Sequence, residues 1–405
     1  MNVTIIGQGY VGLPIAVCAA ENGFKVTGYD SDTLKISRLK SGVTDSMDIG
    51  KDKLLNLQSR GNLQFKSELD EKPISEIFII AVPTPLDRSG KPDLSMLENA
   101  CLTISKFVKQ NALVINESTS YIGTLRNFIK VKIEEYSGIT NIDYAVAPER
   151  IDPNNKKWSI QNTPRIVSGL TDIATERASD FYSKFCSQVH KVSKPEVVEA
   201  AKLFENSFRL VNISLVNELS ELANKFNFSI HEVVASASTK PFGFMPFYPS
   251  IGIGGHCIPV DPSYLRYSAE IVGVEINLIN HANKINLNMP NYIATRIKSI
   301  FGGDLKDKTI QLAGITYKPN VSDLREAPAL ELIEILEKFG AIVTWYDPLV
   351  GVYGKEKSTP LSKDIDMGLI VTPHEGFDFS IWHSEKIKVL DLSANSNDYG
   401  WPKFL

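Results

Sequence analysis

The chain has 405 residues, 43% hydrophobic and 22% charged, with a formal net charge of −4. That length exceeds one ordinary core and predicts two or three domains. The composition excludes a disordered chain, and the mild acidity gives no electrostatic ground for nucleic acid or an anionic membrane as partner.

Four cysteines, Cys18, Cys101, Cys186 and Cys257, are widely separated and form no CxxC pair. This spacing argues against a metal cage or disulfide framework and for a reducing, cytoplasmic setting. No basic leader precedes the first apolar run at Val3, and the longest runs, such as 77–82, are strand-length rather than membrane-spanning.

In chain order, residues 2–7 read as a short apolar strand, 12–22 as a helix and 24–30 as a second strand. Further buried strands are predicted at 77–82, 112–116 and 143–147, and their helix-length spacing predicts a parallel sheet with right-handed crossovers. From 196 to 226, Val197, Ala201, Phe204, Phe208, Val211 and Leu215 recur at helical spacing. A Pro- and Gly-rich stretch at 240–262 interrupts the pattern, and a second long helical region is predicted from 263 to about 300. After Gly302-Gly303, βαβ patterning returns, with strands at 308–314, 341–347, 367–371 and 387–392 and a helix at 328–339. The expected class is α/β: two Rossmann-like doubly wound domains, 1–195 and 301–405, joined by an all-helical region, 196–300.

Gly7-Gln-Gly9-Tyr10-Val11-Gly12 follows a strand and opens a helix. Gly7 permits a tight turn, Gly9 a close approach to a pyrophosphate, and Gly12 close helix–strand packing. Asp30 ends the second strand at the distance expected for a ribose 2′-OH acceptor, and its charge favours NAD over NADP. Lys35, one helical turn on, is a candidate cofactor contact or a solvated surface lysine.

Cys257 follows His256 and three glycines within four residues, in the run IGIGGHCIPVDP, a setting that suits a reactive thiol. Cys18 and Cys101 fit inert positions on apolar faces instead. Asp261-Pro262 fits a helix cap, a catalytic carboxylate, or both. Lys202, Asn206 and Arg209 share one helix face, either a solvated polar stripe or part of a site. Loops after predicted strands carry Thr84, Glu117 to Thr119, and Glu149-Arg150, the last as a surface ion pair or as a base beside an anion clamp. Lys318 and Arg325 bring two cations to a strand-to-helix connection, a plausible diphosphate site.

Together these segments resemble the UDP-glucose/GDP-mannose dehydrogenase family over nearly the whole chain. The resemblance is carried by GQGYVGLP at 7–14, AVPTP at 81–85, APER at 147–150, KLFEN at 202–206, GGHCIPVDP at 254–262 and TYKPNVSDLRE at 316–326. It implies an N-terminal NAD domain, a central helical dimerisation region with the cysteine loop, and a C-terminal UDP-sugar domain. It makes Cys257 the nucleophile, with Lys202 and Asn206 steadying the developing oxyanion. Asp261 and Glu149 become the carboxylates that handle water and protons, and Thr119 a ligand of that water or the cofactor. Gly7, Gly9, Tyr10, Val11, Gly12, Asp30, Lys35, Thr84, Thr119 and Arg325 fall on the cofactor side. Glu149, Arg150, Lys202, Asn206, Arg209, Phe247, Tyr248, Gly254 and Lys318 fall on the substrate side, with no metal. The run ERIDP at 149–153 is similar to the branch acting on UDP-N-acetylhexosamines, especially UDP-N-acetylglucosamine. Asn154 and Ser250 stand where glycine is common in relatives.

Such chemistry needs a covalent handle. Taking a primary alcohol to an acid requires two hydride transfers, and a thiolate retains the aldehyde between them. A single-step hydroxyacid dehydrogenase would need no such cysteine. A non-catalytic nucleotide-sugar sensor would not need Cys257, Lys202, Asn206 and Asp261 together.

Overall fold

A computed structural model describes residues 1–44, 49–69, 75–151, 155, 157–255, 258–394 and 397–405. The chain divides into two units, Met1–Glu205 with Ser263–Gly273, and Asn206–Pro262 with Val274–Leu405.

The first unit is built on strands β1 (Asn2–Ile6), β2 (Lys25–Tyr29), β3 (Leu63–Lys66), β4 (Ile77–Ile80), β5 (Leu113–Asn116), β6 (Asp143–Val146), β7 (Arg165–Gly169) and β8 (Val189–Lys191). They form one eight-stranded sheet in the order β3-β2-β1-β4-β5-β6-β7-β8. The order reverses between β1 and β4, the switch point at which open α/β sheets bind ligands. Helices α1 (Gly12–Glu21), α2 (Thr33–Lys40), α3 (Lys51–Ser59), α4 (Ser95–Ser105), α5 (Lys130–Ser137) and α6 (Asp172–Tyr182) connect the strands. Both sheet faces are covered, so β4 reads IFII without polar alternation. Its residues divide by side: Ile79 joins one apolar cluster with Ile5 and Ile115, while Phe78 and Ile80 join the other with Ile6 and Val114.

The strand spacing predicts a parallel sheet, but the observed sheet is mixed. β7 runs antiparallel to β6, pairing Ala145 with Gly169 and Val146 with Ser168. Strands β3, β7 and β8 carry charged or exposed positions and give no buried-strand signal in sequence.

Helix α7 (Pro195–Phe226) spans the division between the units. The 3.6-residue spacing predicts it, yet several residues that reveal it face outward: Phe204 is 66% exposed and Leu215 61%. Its buried positions instead include Val198, Leu203, Leu210, Ser214, Asn217 and Ser220. Helix α8 (Ile230–Ser238) follows. The single helical region expected from 263 is two helices, α9 (Asp261–Ile271) and α10 (Asn277–Ile300). Gly273, at a φ of +72°, sits in the turn that separates them.

The second unit carries a parallel sheet of β9 (Thr309–Ala313), β10 (Ile342–Tyr346), β13 (Met367–Ile370) and β14 (Val389–Asp391), ordered β10-β9-β13-β14. The short β11 (Val352–Tyr353) and β12 (Glu356–Lys357) make a separate hairpin. Helix α11 (Pro328–Lys338) buries Ala329, Leu332, Ile333 and Leu336 beside Ile293 and Ile297 of α10 in one apolar cluster. Helix α12 (Ser380–Ser384) sets Trp382 into a second. No described helix is long and apolar enough to cross a membrane.

Candidate active site

In the first unit the candidate residues gather past the C-terminal ends of β1, β4, β5 and β6, neighbours in the sheet. The glycines after β1 do different work. A Cβ on Gly7 would lie 2.4 Å from the Ala81 carbonyl, and one on Gly12 would lie 1.9 Å from that of Gly7. Packing alone demands both. A Cβ on Gly9 would meet nothing within 4 Å, so its bare backbone leaves room for a ligand to approach. Tyr10 is exposed and Val11 half-buried beside it.

Asp30 is held ready at the adjoining strand end. Its Oδ2 accepts the Gln8 amide at 2.9 Å and Lys35 Nζ at 2.8 Å, and its Oδ1 accepts the Asp32 amide at 3.0 Å. Lys35 is therefore not merely solvated but paired with Asp30. The open Gly9 backbone beside an oriented carboxylate fits a dinucleotide's pyrophosphate and ribose.

Farther along the sheet edge, Thr84 Oγ1 donates to the Thr119 carbonyl at 2.8 Å, and Ser118 Oγ donates to that of Val82 at 2.7 Å. The loop continues to Gly123 and Leu125, whose amides donate to Glu199 of α7 at 2.5 and 2.9 Å. Burial pushes Glu199 up to about 7 against those two hydrogen bonds.

Glu149 and Arg150 do not form a surface ion pair with each other. The Arg150 guanidinium pairs with Glu205 at 2.5 Å and reaches the Pro164 carbonyl at 2.9 Å. The Glu149 Oε1 accepts the Arg150 and Ile151 amides at 2.5 and 2.6 Å, while Oε2 lies 3.3 Å from Arg165 Nη2. Lys202 Nζ donates to the Glu149 carbonyl at 2.7 Å, so KLFEN and APER meet. Arg165, in no motif, also grips buried Glu117 at 2.6 Å.

In the second unit, Asn206 Nδ2 donates to Asp261 Oδ2, a buried carboxylate that opens α9. Arg209 is exposed one turn along α7. Phe247 packs edge-on to Phe208 at 5.8 Å, and Tyr248 stacks on His231 at 5.5 Å. The chain approaching the cysteine motif is fastened at several points. The Ser250 amide donates to Asn217 at 2.9 Å, that of Ile253 to Asn286 at 2.7 Å, and that of Gly255 to the Arg325 carbonyl at 3.0 Å. Gly254 is required there, because a Cβ would fall 2.4 Å from the Glu326 carbonyl. His256, Cys257 and Asn154 lie outside the described residues.

Lys318 is half-buried, with its carbonyl accepting from Thr316 at 3.0 Å. The Arg325 guanidinium is engaged by Asp323 at 2.5 Å. Sequence reasoning missed a repeat of the first sheet's device beneath them. Gly314 donates to the Tyr346 carbonyl and the Ile315 amide to Asp347, at 2.8 and 2.9 Å, as Gly7 does to Tyr29 and Gln8 to Asp30. Buried His374 joins Asp347 at 3.0 Å and accepts the Asn320 amide at 2.8 Å, which anchors the loop after Lys318. A glycine at the strand end and an aspartate ending the next strand were its only signals.

Residues 1–186 match the NAD binding domain, 196–288 the central domain and 311–391 the UDP binding domain of the UDP-glucose/GDP-mannose dehydrogenase family. The chain belongs to that family. It is an NAD-dependent oxidoreductase of the nucleotide-sugar dehydrogenase type, with the α/β fold that its sequence predicts. Among curated proteins, Protein CapL of Staphylococcus aureus is 35% identical over 93% of this chain and 90% of its own length. The UDP-N-acetyl-D-glucosamine 6-dehydrogenase of Pseudomonas aeruginosa is 33% identical over 86% and 83%. Among solved structures, a UDP-D-ManNAc dehydrogenase from Pyrococcus horikoshii is 31% identical, covers 99% of this chain and 98% of that one, and superposes with a TM-score of 0.89.

Proposed function

We propose that the enzyme oxidises the C6 hydroxyl of a UDP-N-acetylhexosamine, best read as UDP-N-acetylglucosamine, to the uronate for a surface polysaccharide precursor. The observation that carries the reading is the Asn206–Asp261 hydrogen bond, which joins the KLFEN motif to the motif that contains Cys257. The names of the relatives support an N-acetylhexosamine substrate, with UDP-N-acetylmannosamine and UDP-glucose as the alternative sugars.

Bound NAD would be held by Gly9, Asp30 and Lys35 and accept a hydride in each half-reaction. The chain's own groups do the rest. The Cys257 thiolate adds to the C6 aldehyde, forming a C–S bond and a thiohemiacetal. Loss of the second hydride leaves a thioester, and water cleaves its C–S bond, returning the thiolate and releasing the acid. Lys202 and Asn206 stabilise the oxyanions, a contribution of about 3–4 kcal/mol for one well-placed donor. Asp261 or Glu149 takes the proton of the attacking water. Alcohol, water and two NAD give carboxylate, two NADH and three protons.

The reading includes a division at 1–195, 196–300 and 301–405, a cytoplasmic location, and a homodimer formed through the central helices. The exposed Phe208, Leu215, Leu222 and Phe226 of α7 support the dimer; sedimentation showing only monomer would remove it.

The test is to incubate the enzyme with NAD and a panel of UDP-sugars. Two NADH per sugar and an acid product are expected, and Cys257→Ser is expected to abolish acid formation. One NADH per sugar, or wild-type acid yield from the variant, would reject the covalent route.

A further inference from the structure

Arg165 lies at the head of β7 and is only 5% exposed. It is buried between two carboxylates, Glu117 at 2.6 Å and Glu149 at 3.3 Å, with its guanidinium 4.5 Å from the centre of the Tyr182 ring. Glu117, at the end of β5, accepts the Tyr182 hydroxyl on the oxygen that also binds Arg165. Burial pushes Glu117 up to about 7, whereas Arg165 pulls it down. Its second oxygen has no hydrogen-bond partner among the described residues. A buried ion cluster of this kind adds little stability beyond a well-packed apolar one, so its geometry invites another explanation.

The arrangement around Glu149 supplies one. Both backbone bonds fall on Oε1, so Oε2 is the oxygen left to receive a proton, and that is the atom Arg165 faces. At 3.3 Å the contact is long for a charge-assisted bond. It fixes the carboxylate's rotation while leaving a lone pair for water. We propose that Arg165, anchored by Glu117, is a positioning residue for Glu149 in the hydrolytic half of the reaction. This rests on the four-electron reading above. In that step the water oxygen bonds to the thioester carbon, the C–S bond breaks with its electron pair on sulfur, and the water proton passes to Glu149 Oε2.

The experiment compares Arg165→Lys, Glu117→Gln and Glu149→Gln by rapid mixing with NAD and UDP-N-acetylglucosamine, following NADH and acid release, with thermal unfolding alongside. Arg165→Lys is expected to keep an initial NADH burst while steady-state acid release falls about tenfold, less than a full general-base contribution. Glu117→Gln, nearly isosteric, gives the same signature at smaller size and decides the matter if the lysine variant does not fold. Hydroxylamine, which attacks a thioester without a base, is expected to restore turnover. General destabilisation would not produce that rescue. Wild-type acid release from Glu149→Gln would sink the role of Glu149 and the proposal with it. A slowed Glu149→Gln beside wild-type behaviour in both other variants, or no hydroxylamine rescue, would overturn the positioning role alone.

Discussion

Asn286 holds Ile253 by both backbone groups: its side-chain oxygen accepts the Ile253 amide at 2.7 Å, and its side-chain nitrogen donates to the Ile253 carbonyl at 3.3 Å. Asn286 lies within α10 and is buried, so the pairing ties a loop of unusual backbone to a rigid helix. Gly252, with φ of +121°, precedes the pair, and Gly255, at +86°, follows it.

Asn286→Ala therefore leaves two backbone groups without their partners. Stability is expected to fall by about 1–3 kcal/mol, read by denaturant unfolding. Amide exchange at residues 250–255 should accelerate more than at the central strands. Unchanged exchange in that loop would show that Asn286 does not hold it.

The three glycines of the first turn should separate folding from cofactor binding. Gly9→Ala adds a methyl into open space, so unfolding stability should stay within about 0.5 kcal/mol of wild type. NAD affinity should nevertheless drop about tenfold, equivalent to ~1.4 kcal/mol. Gly12→Ala drives a methyl into the Gly7 carbonyl and should lower the melting temperature outright. NAD titration and thermal unfolding of both variants check the pair, and wild-type NAD affinity in Gly9→Ala would count against a pyrophosphate there.

Glu199 gives the fold a pH signature. Its folded-state value near 7 lies above the unfolded value of 4.5, because burial disfavours the charge. The folded chain therefore binds the proton more tightly. The resulting stabilisation is complete below the unfolded value and is lost as pH rises through about 7. Glu199→Gln removes this titration at the cost of one of the two amide hydrogen bonds, because its NH2 group cannot accept from an N–H. Urea unfolding from pH 5 to 8 should show wild type losing on the order of 1–3 kcal/mol relative to the variant. Parallel pH profiles would contradict it.

The sequence carries the large elements because their signals are local. The apolar run at β4 and the 3.6-residue spacing of α7 each arise within one segment. The turn at Gly7 and the carboxylate at Asp30 are legible for the same reason: a motif, a strand and a fixed spacing suffice. Where reading failed, the missing information came from elsewhere in the chain. Arg165 looks like an ordinary surface cation until β7 turns antiparallel and sets it against Glu117 and Glu149. Asn217 and Asn286 look like polar residues on long helices until the loop at 250–253 lies across them.

The sequence by itself determined the alternation of strands and helices, the glycine turn and the ordered motifs that place the chain in its family. All of these depend on spacing along one backbone. Only the tertiary structure decided which charges share a buried pocket and which apolar helix face stays exposed. Those outcomes depend on desolvation and on hydrogen bonds between residues tens of positions apart, which no local pattern encodes.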